Sequence, residues 1–283
     1  GDWERALAVL QAVQADDLRP DVVAYTAAIG ACQRGAQSKW ALRLFDGMQR
    51  AGLEPDVITF SAMISTCEEG RRWGKALHLL GVMRKSGVLP NVVTYSAAIS
   101  ACEKGRQWNK ALWLLHEMHG AVVLPNVVSY SAAISACDKG GQWERALLVW
   151  AQMLRGGLTP NRISYGAAMG ACATGGRWAQ AAHLLASMWQ AGIPADLVNY
   201  TAVLSACEKG RHWEWALGLL GHMWKQRVRP DKICYSIVQR ARHAGRPGRR
   251  SRGRRLQHGL SRLRTTCRGW ARGTSAGAAT RES

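Results

Sequence analysis

The sequence has no apolar run of about 18 residues, no Cys-x-x-Cys pair and no His-Glu-x-x-His segment. The first absence excludes a membrane-spanning helix, and the second argues against a disulfide or metal-binding role for the cysteines. His116 and His119 flank Glu117, but they lack the spacing of a zinc-dependent protease. The His-x-Glu and Cys-x-x-Cys pattern of zinc deaminases is missing too. We therefore expect no enzyme activity, no catalytic residues, no metal site and no cofactor.

Acidic residues are scarce beside basic ones, with 19 Asp and Glu against 38 Lys and Arg and a net charge of +19. From Arg240 onward the sequence has 13 arginines, no lysine and a single acid, Glu282. Such a balance favours nucleic acid or an anionic surface as partner. Large apolar residues are few there, and we expect residues 243–283 to be disordered. Two origins fit this tail: an arginine–glycine segment that adds non-specific RNA affinity, or a shifted reading frame.

Six cysteines recur at a fixed interval of 35 residues, and glycine, alanine, methionine and aromatic residues repeat with the same step. Self-similarity of this length is typical of a solenoid, in which one small unit of secondary structure is stacked many times. Buried thiols are ordinary core residues in a reducing compartment, so we interpret the cysteines as packing residues. They are Cys32, Cys67, Cys102, Cys137, Cys172 and Cys207.

One unit, residues 92–126, shows the pattern that the others share. Its apolar residues follow the spacing of a helix face up to Gly105, which tolerates the left-handed conformation common after a helix end. A second helix is predicted from Trp108, whose ring we expect to pack between helices, and Pro125 prevents the continuation of that helix. Asn126 suits the cap of the next helix, because its side-chain oxygen accepts backbone N–H groups. Such a helix pair cannot bury its apolar faces alone, so neighbouring units must stack.

The predicted fold is all-α: a right-handed superhelical solenoid of 35-residue helix-turn-helix units, with about thirteen helices and no strand. Because the chain enters in the middle of a unit, we expect it to be a fragment of a longer protein. The predicted organisation is a partial unit at 1–21, complete units at 22–56, 57–91, 92–126, 127–161, 162–196 and 197–231, a partial unit at 232–242, and the tail at 243–283.

These units resemble the pentatricopeptide repeat family, the RNA-binding solenoids of organelles. The resemblance covers residues 1–242 and rests on the V-V-T-Y-S opening of a unit, the A-L-x-L-L of its second helix and the M-x-x-x-G-x-x-P-N/D close. The uniform unit length is similar to that of the P class. A tetratricopeptide array has a 34-residue period and would slip out of register along this chain. The resemblance implies a location in the chloroplast or the mitochondrion, although no transit peptide is visible in the sequence.

In that family each unit reads one base of single-stranded RNA through the fifth residue of its first helix and the last residue of the unit. An ionised Asp only accepts hydrogen bonds and suits guanine N1–H and N2–H, whereas an Asn amide can donate to adenine N1. The resemblance thus implies the target 5′-GAAAnG-3′, where n marks the unit in which Gly166 has no side chain. The implied base-reading pairs are Thr26 with Asp56, Ser61 with Asn91, Ser96 with Asn126, Ser131 with Asn161, Gly166 with Asp196, and Thr201 with Asp231.

Two further sets of residues carry over from the family. The second residue of each unit is an aliphatic side chain that sandwiches bases, and a basic residue near the end of the first helix contacts phosphate. Glu69 and Thr174 depart from the second pattern. The implied sandwiching residues are Val23, Ile58, Val93, Val128, Ile163 and Val198, and the implied phosphate-contacting residues are Arg34, Lys104, Lys139 and Lys209.

The function implied by the resemblance is sequence-specific binding of single-stranded RNA in organellar RNA processing, stability, splicing or translation. We expect a monomer that recruits processing enzymes in trans and has no membrane partner. Two alternatives remain: a protein-interaction scaffold, and the targeting part of an enzyme whose catalytic domain is missing. The base-reading positions vary only among Thr, Ser, Asn and Asp apart from Gly166, a restriction that a scaffold does not need.

Overall fold

The computed structural model describes residues 2–15 and 20–244 and contains fourteen α-helices, one more than predicted, and no strand in that part of the chain. The prediction of an all-α solenoid is confirmed. Among the described helices, none combines the length and the apolar character needed to span a bilayer.

The helices alternate between two structural roles along the chain, and all but the first are 13 residues long. We call them first and second helices after their order within a unit. The first helices are α2 (Val22–Arg34), α4 (Val57–Glu69), α6 (Val92–Lys104), α8 (Val127–Lys139), α10 (Arg162–Thr174), α12 (Leu197–Lys209) and α14 (Lys232–Ala244). The second helices are α1 (Asp2–Ala15), α3 (Ser38–Arg50), α5 (Trp73–Lys85), α7 (Trp108–Gly120), α9 (Trp143–Arg155), α11 (Trp178–Gln190) and α13 (Trp213–Lys225).

Each first helix from α2 to α12 begins after an Asp or Asn that caps it. Before α6, Asn91 has an extended backbone and its Oδ1 accepts the Thr94 N–H at 3.0 Å. This bond satisfies one of the backbone donors that a helix start leaves without an intrahelical partner. The prediction that the last residue of each unit caps the next helix is confirmed for these six helices.

The first helices end in a turn that differs from the prediction. Gly105 follows α6 with φ −84°, whereas the next residue, Arg106, is left-handed with φ 55°. The Arg106 N–H bonds to the Glu103 carbonyl, and the Gln107 N–H bonds to the Cys102 carbonyl at 2.8 Å. These bonds form a Schellman motif in which the arginine takes the place usually held by glycine. The expectation that Gly105 supplies a left-handed conformation is therefore wrong.

Gly105 has a packing role instead, because the indole of Trp73 lies directly against its Cα. A Cβ built on Gly105 would overlap Cδ1 and Cγ of Trp73. The contact recurs one unit later between Gly140 and Trp108, and again at Gly175, where a Cβ would lie 2.6 Å from Cδ2 of Trp143. The tryptophans that open α5, α7 and α9 thus insert beneath the end of the following first helix. This confirms that the tryptophans pack between helices.

Successive first helices pack along one another, and each second helix from α3 to α13 packs between two successive first helices. The first helices therefore form a continuous inner layer, with the second helices outside it. One hydrophobic core runs between the two layers and contains the repeated Ala, Met, Tyr and Cys side chains. Stability in such a stack comes from contacts within a unit and with its nearest neighbours.

The periodic cysteines lie in this core as predicted packing residues, and each is buried with a free thiol. Burial raises the pKa of Cys102 and Cys137 to about 11 and that of Cys172 and Cys207 to about 12. A thiol in such surroundings stays protonated near neutral pH and is a poor nucleophile or metal ligand. Within the described residues, no three His, Cys, Asp or Glu side chains are grouped as a metal site.

The last helix extends slightly beyond its predicted end. The sequence predicts that the tail begins at residue 243, but α14 continues to Ala244. Its side chains Cys234, Ile237, Val238 and Ala241 are buried against the preceding unit. The remainder of the predicted tail, 245–283, lies outside the described residues.

Candidate nucleic-acid interface

A row of exposed aliphatic side chains follows the start of the first helices. The second residue of each unit is between 54% and 72% exposed, although a branched aliphatic side chain would normally be buried. The row recurs with every unit and is not a scattered surface feature. Its members are the six predicted sandwiching residues, Val23, Ile58, Val93, Val128, Ile163 and Val198. Ile233, one unit further on, continues the row at 56% exposure.

The last residues of the units lie beside this row, because each one precedes a first helix as its cap. Oδ1 of each of these residues accepts the backbone N–H of the third residue of the following helix, at 2.7–3.0 Å. For an asparagine this bond leaves the Nδ2 donor for a ligand, and for an aspartate it leaves a second acceptor oxygen. At Asp231, the bond from the Cys234 N–H lowers the pKa of the carboxyl group, which keeps it an ionised acceptor. The residues are Asp56, Asn91, Asn126, Asn161, Asp196 and Asp231.

The fifth residues lie deeper, in the seam between adjacent first helices. The side chains of Ser61, Ser96 and Ser131 are 8%, 7% and 4% exposed. The Ser96 hydroxyl is hydrogen-bonded at 2.8 Å to the hydroxyl of Ser129, the third residue of the next first helix. Ser129 Oγ also donates to Oδ1 of Asn126 at 3.0 Å. The structure thus brings Ser96 and Asn126 together, with Ser129 as the link between them.

The fifth and sixth units depart from this arrangement. Gly166 offers no hydroxyl, and the position that its Cβ would occupy is 3.3 Å from Nδ2 of Asn199. In the sixth unit Thr201 faces the thiol of Cys234 at 3.6 Å, which is a weak contact beside a hydroxyl pair.

The predicted phosphate-contacting residues lie near the ends of the first helices, where acidic residues of the preceding unit engage two of them. Lys104 Nζ is 3.0 Å from Oε1 of Glu68, and Lys139 Nζ is 2.7 Å from Oε1 of Glu103. Lys209 donates instead to the Thr174 carbonyl at 3.3 Å. Exposed ion pairs of this kind contribute about 0–1 kcal/mol, so a phosphate group can compete for these lysines.

Several residues that shape this surface escape prediction from the sequence. The third residues Thr59, Thr94, Ser129 and Ser164 are 0% exposed and resemble ordinary helix-start residues when one unit is read alone. Their signal is a separation of 33 residues from the preceding fifth residue. Glu68 and Glu103 each lie 36 residues before the lysine that they bind. Ile233 could have been found by continuing the interval of 35 from Val198.

The stacked helix pairs and the exposed surface that recurs once per unit define an α-helical repeat solenoid. A profile described as "Pentatricopeptide repeat domain" matches residues 8–70, 71–104 and 183–240, which together exceed half of the chain. Profiles described as "PPR repeat family" and "PPR repeat" match residues 125–174 and 93–121. The chain belongs to the pentatricopeptide repeat family. Comparison with curated protein sequences returned no significant match.

Solved structures share this fold. The crystal structure of the pentatricopeptide repeat protein PPR10 from maize is 25% identical, with a TM-score of 0.59 over 94% of this chain and 37% of that chain. PPR10 in complex with an 18-nt psaJ RNA element matches with 23% identity and a TM-score of 0.52, over 90% of this chain and 39% of that one. Nuclear proteinaceous RNase P 2 from A. thaliana is 16% identical, with a TM-score of 0.53 over 60% of this chain and 38% of that chain. The chain thus spans well under half the length of these proteins.

Proposed function

We propose that this protein binds single-stranded RNA with one base per unit and prefers the sequence 5′-GAAAnG-3′. The observation that carries the proposal is the exposed row of aliphatic residues at the second position, each beside a capping Asp or Asn. Apolar side chains spaced at regular intervals can hold the faces of successive bases, and the polar residues beside them can bond to base edges. The solved complex of PPR10 with an RNA element supports RNA as the partner.

The choice between guanine and adenine follows from the side-chain atoms of the capping Asp or Asn that the helix cap does not use. In Asn126, Oδ1 is engaged by Ser129, so Nδ2 is the group that can donate to adenine N1. In Asp56, Oδ1 is engaged by Thr59, and the remaining oxygen can only accept, which suits guanine N1–H. Units with Asp therefore select G and units with Asn select A.

The basic residues supply affinity without sequence information. Arg34, Lys104, Lys139 and Lys209 contact phosphates in this proposal, and contacts to phosphate carry no information about the base. The net charge of +19 raises the rate of encounter with a polyanion. By covering its target as a monomer, the protein blocks nucleases or prevents a competing hairpin in chloroplast or mitochondrial transcripts. Any cleavage is carried out by enzymes recruited in trans.

A selection from random RNA with the purified full chain tests the proposal. We expect enrichment of GAAAnG in unpaired RNA, and weaker binding to the same sequence placed in a duplex. Enrichment of an unrelated sequence, or equal binding to both forms, would contradict the proposed code.

A matched pair of variants tests whether the aliphatic row is the contact surface. Val128→Glu places a charge on the row, whereas Leu148→Glu places the same charge on the outer helix α9 at similar exposure. We expect the first variant to bind RNA roughly tenfold more weakly, as expected from about 1–3 kcal/mol of stacking energy per base. The second should bind like the unmodified protein. Equal weakening in the two variants would show that the row is not the contact surface.

A further inference from the structure

A chain of side-chain hydrogen bonds crosses four of the unit boundaries. It runs from the hydroxyl of a fifth residue to the hydroxyl of the third residue of the next first helix, and from there to Oδ1 of the cap between them. We call this arrangement the hydroxyl chain. Its first link measures 2.5 Å for Thr26–Thr59, 2.7 Å for Ser61–Thr94, 2.8 Å for Ser96–Ser129 and 2.9 Å for Ser131–Ser164. Its second link measures 2.7–3.0 Å.

The hydroxyl of the third residue is not needed for capping. Asp21 caps α2 through the Ala24 N–H at 2.8 Å, and Ala24 has no hydroxyl. The backbone bond alone therefore suffices for a cap, although the hydroxyls of Thr94, Ser129 and Ser164 also accept the backbone N–H of the cap residue, at 3.1–3.4 Å. The buried hydroxyls of Thr59, Thr94, Ser129 and Ser164 do something further, since each links two side chains that belong to the preceding unit.

We propose that the third residue of each following first helix is a positioning residue for base recognition, an inference that rests on the proposed function. Ser129 is buried near the start of α8, and its hydroxyl is hydrogen-bonded to both Ser96 and Asn126. A buried hydroxyl keeps its hydrogen bonds because breaking them is costly, so the pair is held in one arrangement before RNA arrives. At these four junctions each base is then read by two residues of one unit, which are held in place by a third residue from the next unit.

The fifth and sixth junctions lack the hydroxyl chain. We therefore expect the units to differ in how strongly they discriminate between bases. Asn199 fills the space beside Gly166, and its Oδ1 accepts the Asp196 N–H at 3.1 Å. No fifth-residue hydroxyl is held there, so Asp196 reads its base without a positioned partner. At the last junction the longer contact to Cys234 holds Thr201 weakly. Bases one to four should be discriminated more strongly than bases five and six.

Ser129→Ala tests the inference at the third base. We expect the preference for GAAAnG over GAGAnG RNA to fall by about threefold to tenfold, the equivalent of one net hydrogen bond, while preferences at the second and fourth bases stay unchanged. Ser129→Thr should keep the preference, since threonine is the third residue of two other first helices, as Thr59 in α4 and Thr94 in α6. Ser100→Ala removes a hydroxyl one turn beyond Ser96 on the same helix, outside the hydroxyl chain, and should have no effect.

The outcomes separate the two proposals. If the unmodified protein shows no preference for A at the third base, the proposed function fails. If it shows that preference and folded Ser129→Ala keeps it in full, the positioning role alone is wrong. Equal loss at the second, third and fourth bases would also contradict it, because a purely structural defect would act in that way.

A gain of function at the fifth junction provides a second test that does not depend on Ser129. The double variant Gly166→Ser with Asn199→Ser restores a hydroxyl pair next to Asp196. We expect it to prefer G at the fifth base by about threefold or more, whereas Gly166→Ser alone should not, because its Cβ meets Asn199. A folded double variant without preference at that base would overturn the inference.

Discussion

At the scale of single residues, the proposed function makes the difference between Asn and Asp at the end of a unit the source of base selectivity. Asn126→Asp replaces an amide by a carboxylate of almost the same shape, and the cap on α8 survives because Oδ1 remains an acceptor. The donor that suits adenine N1 is removed, so we expect the preferred third base to change from A to G, with a shift of about 1–3 kcal/mol in discrimination. Titration against GAAAnG and GAGAnG RNAs measures this shift. Retention of A, or loss of discrimination at every base, would show that Asn126 does not read the third base.

A second residue-scale prediction concerns His222, which stacks on Trp189 at 4.3 Å between ring centres and bonds through Nδ1 to the Tyr200 hydroxyl at 2.9 Å. Burial lowers the pKa of the His222 imidazole, and the nearby Lys225 lowers it further. The unfolded chain then binds this proton more readily than the folded protein, so the contribution of His222 to stability falls as pH drops through about 6.5, the unfolded pKa.

His222→Gln tests this dependence, because Gln152 occupies the equivalent place in α9 and does not titrate. At pH 7 we expect the variant to be less stable by about 1 kcal/mol, because the stacked imidazole is replaced by an amide. Thermal unfolding at pH 7 and pH 5.5 should show this difference shrinking at the lower pH. A constant difference would mean that His222 does not contribute to the pH dependence.

At the scale of helices, the packing of tryptophan on glycine joins one unit to the next. Gly105→Ala introduces a Cβ that overlaps the Trp73 ring, and we expect a destabilisation of about 1–3 kcal/mol from overpacking. Gly74→Ala in α5 meets nothing within 4 Å and should stabilise that helix by roughly 0.5–1 kcal/mol. Urea unfolding of both variants measures the contrast. Shifts in the same direction would contradict the packing role of Gly105.

The acidic partners of the lysines give a second prediction at this scale. Glu103→Gln keeps the ability to accept the Ser135 hydroxyl but removes the charge that holds Lys139. RNA affinity should rise about twofold to fivefold for every sequence alike, since an exposed ion pair contributes up to about 1 kcal/mol. Glu144→Gln, on the outer helix α9, is the control and should change little. A rise confined to GAAAnG would show that Glu103 acts on a base and not on phosphate.

The positions of the helices could be predicted from the sequence because their signals are local. Caps such as Asn91, the apolar spacing from Val92 and the start at Trp108 all lie within one unit. Apart from the left-handed residue after α6, what escaped prediction lies across unit boundaries. The partner of Gly105 is Trp73 of the preceding unit, and the partner of Lys104 is Glu68. The hydroxyl chain escaped for the same reason, since a consensus read within one unit shows only small polar residues at each of its positions.

At the scale of the whole molecule, the proposed function places base selectivity in the repeats, whereas 11 of the 38 basic residues lie beyond residue 244. Deleting residues 245–283 removes 11 arginines without touching the first helices. Affinity should fall for all RNAs alike, and the dependence on salt should decrease by about 0.7 log units per log unit of salt for each phosphate that is no longer neutralised. Base preferences should stay the same. Titrations at several salt concentrations measure both, and disappearance of the GAAAnG preference in the deletion would contradict this division.

The hydroxyl chain also bears on how such arrays can be rebuilt. A designer who grafts residues 92–126 into another scaffold transfers Ser96 and Asn126 but leaves Ser129 behind, since Ser129 belongs to the following helix. A scaffold with alanine at the position of Ser129 would then contain the two proposed base-reading residues without the hydroxyl that holds them in position. Cassettes cut after the third residue of a first helix, for example after Ser129, would keep each set of three intact. In the proposed mechanism, the functional unit therefore ends three residues later than the unit defined by the sequence period, at Ser129 instead of Asn126.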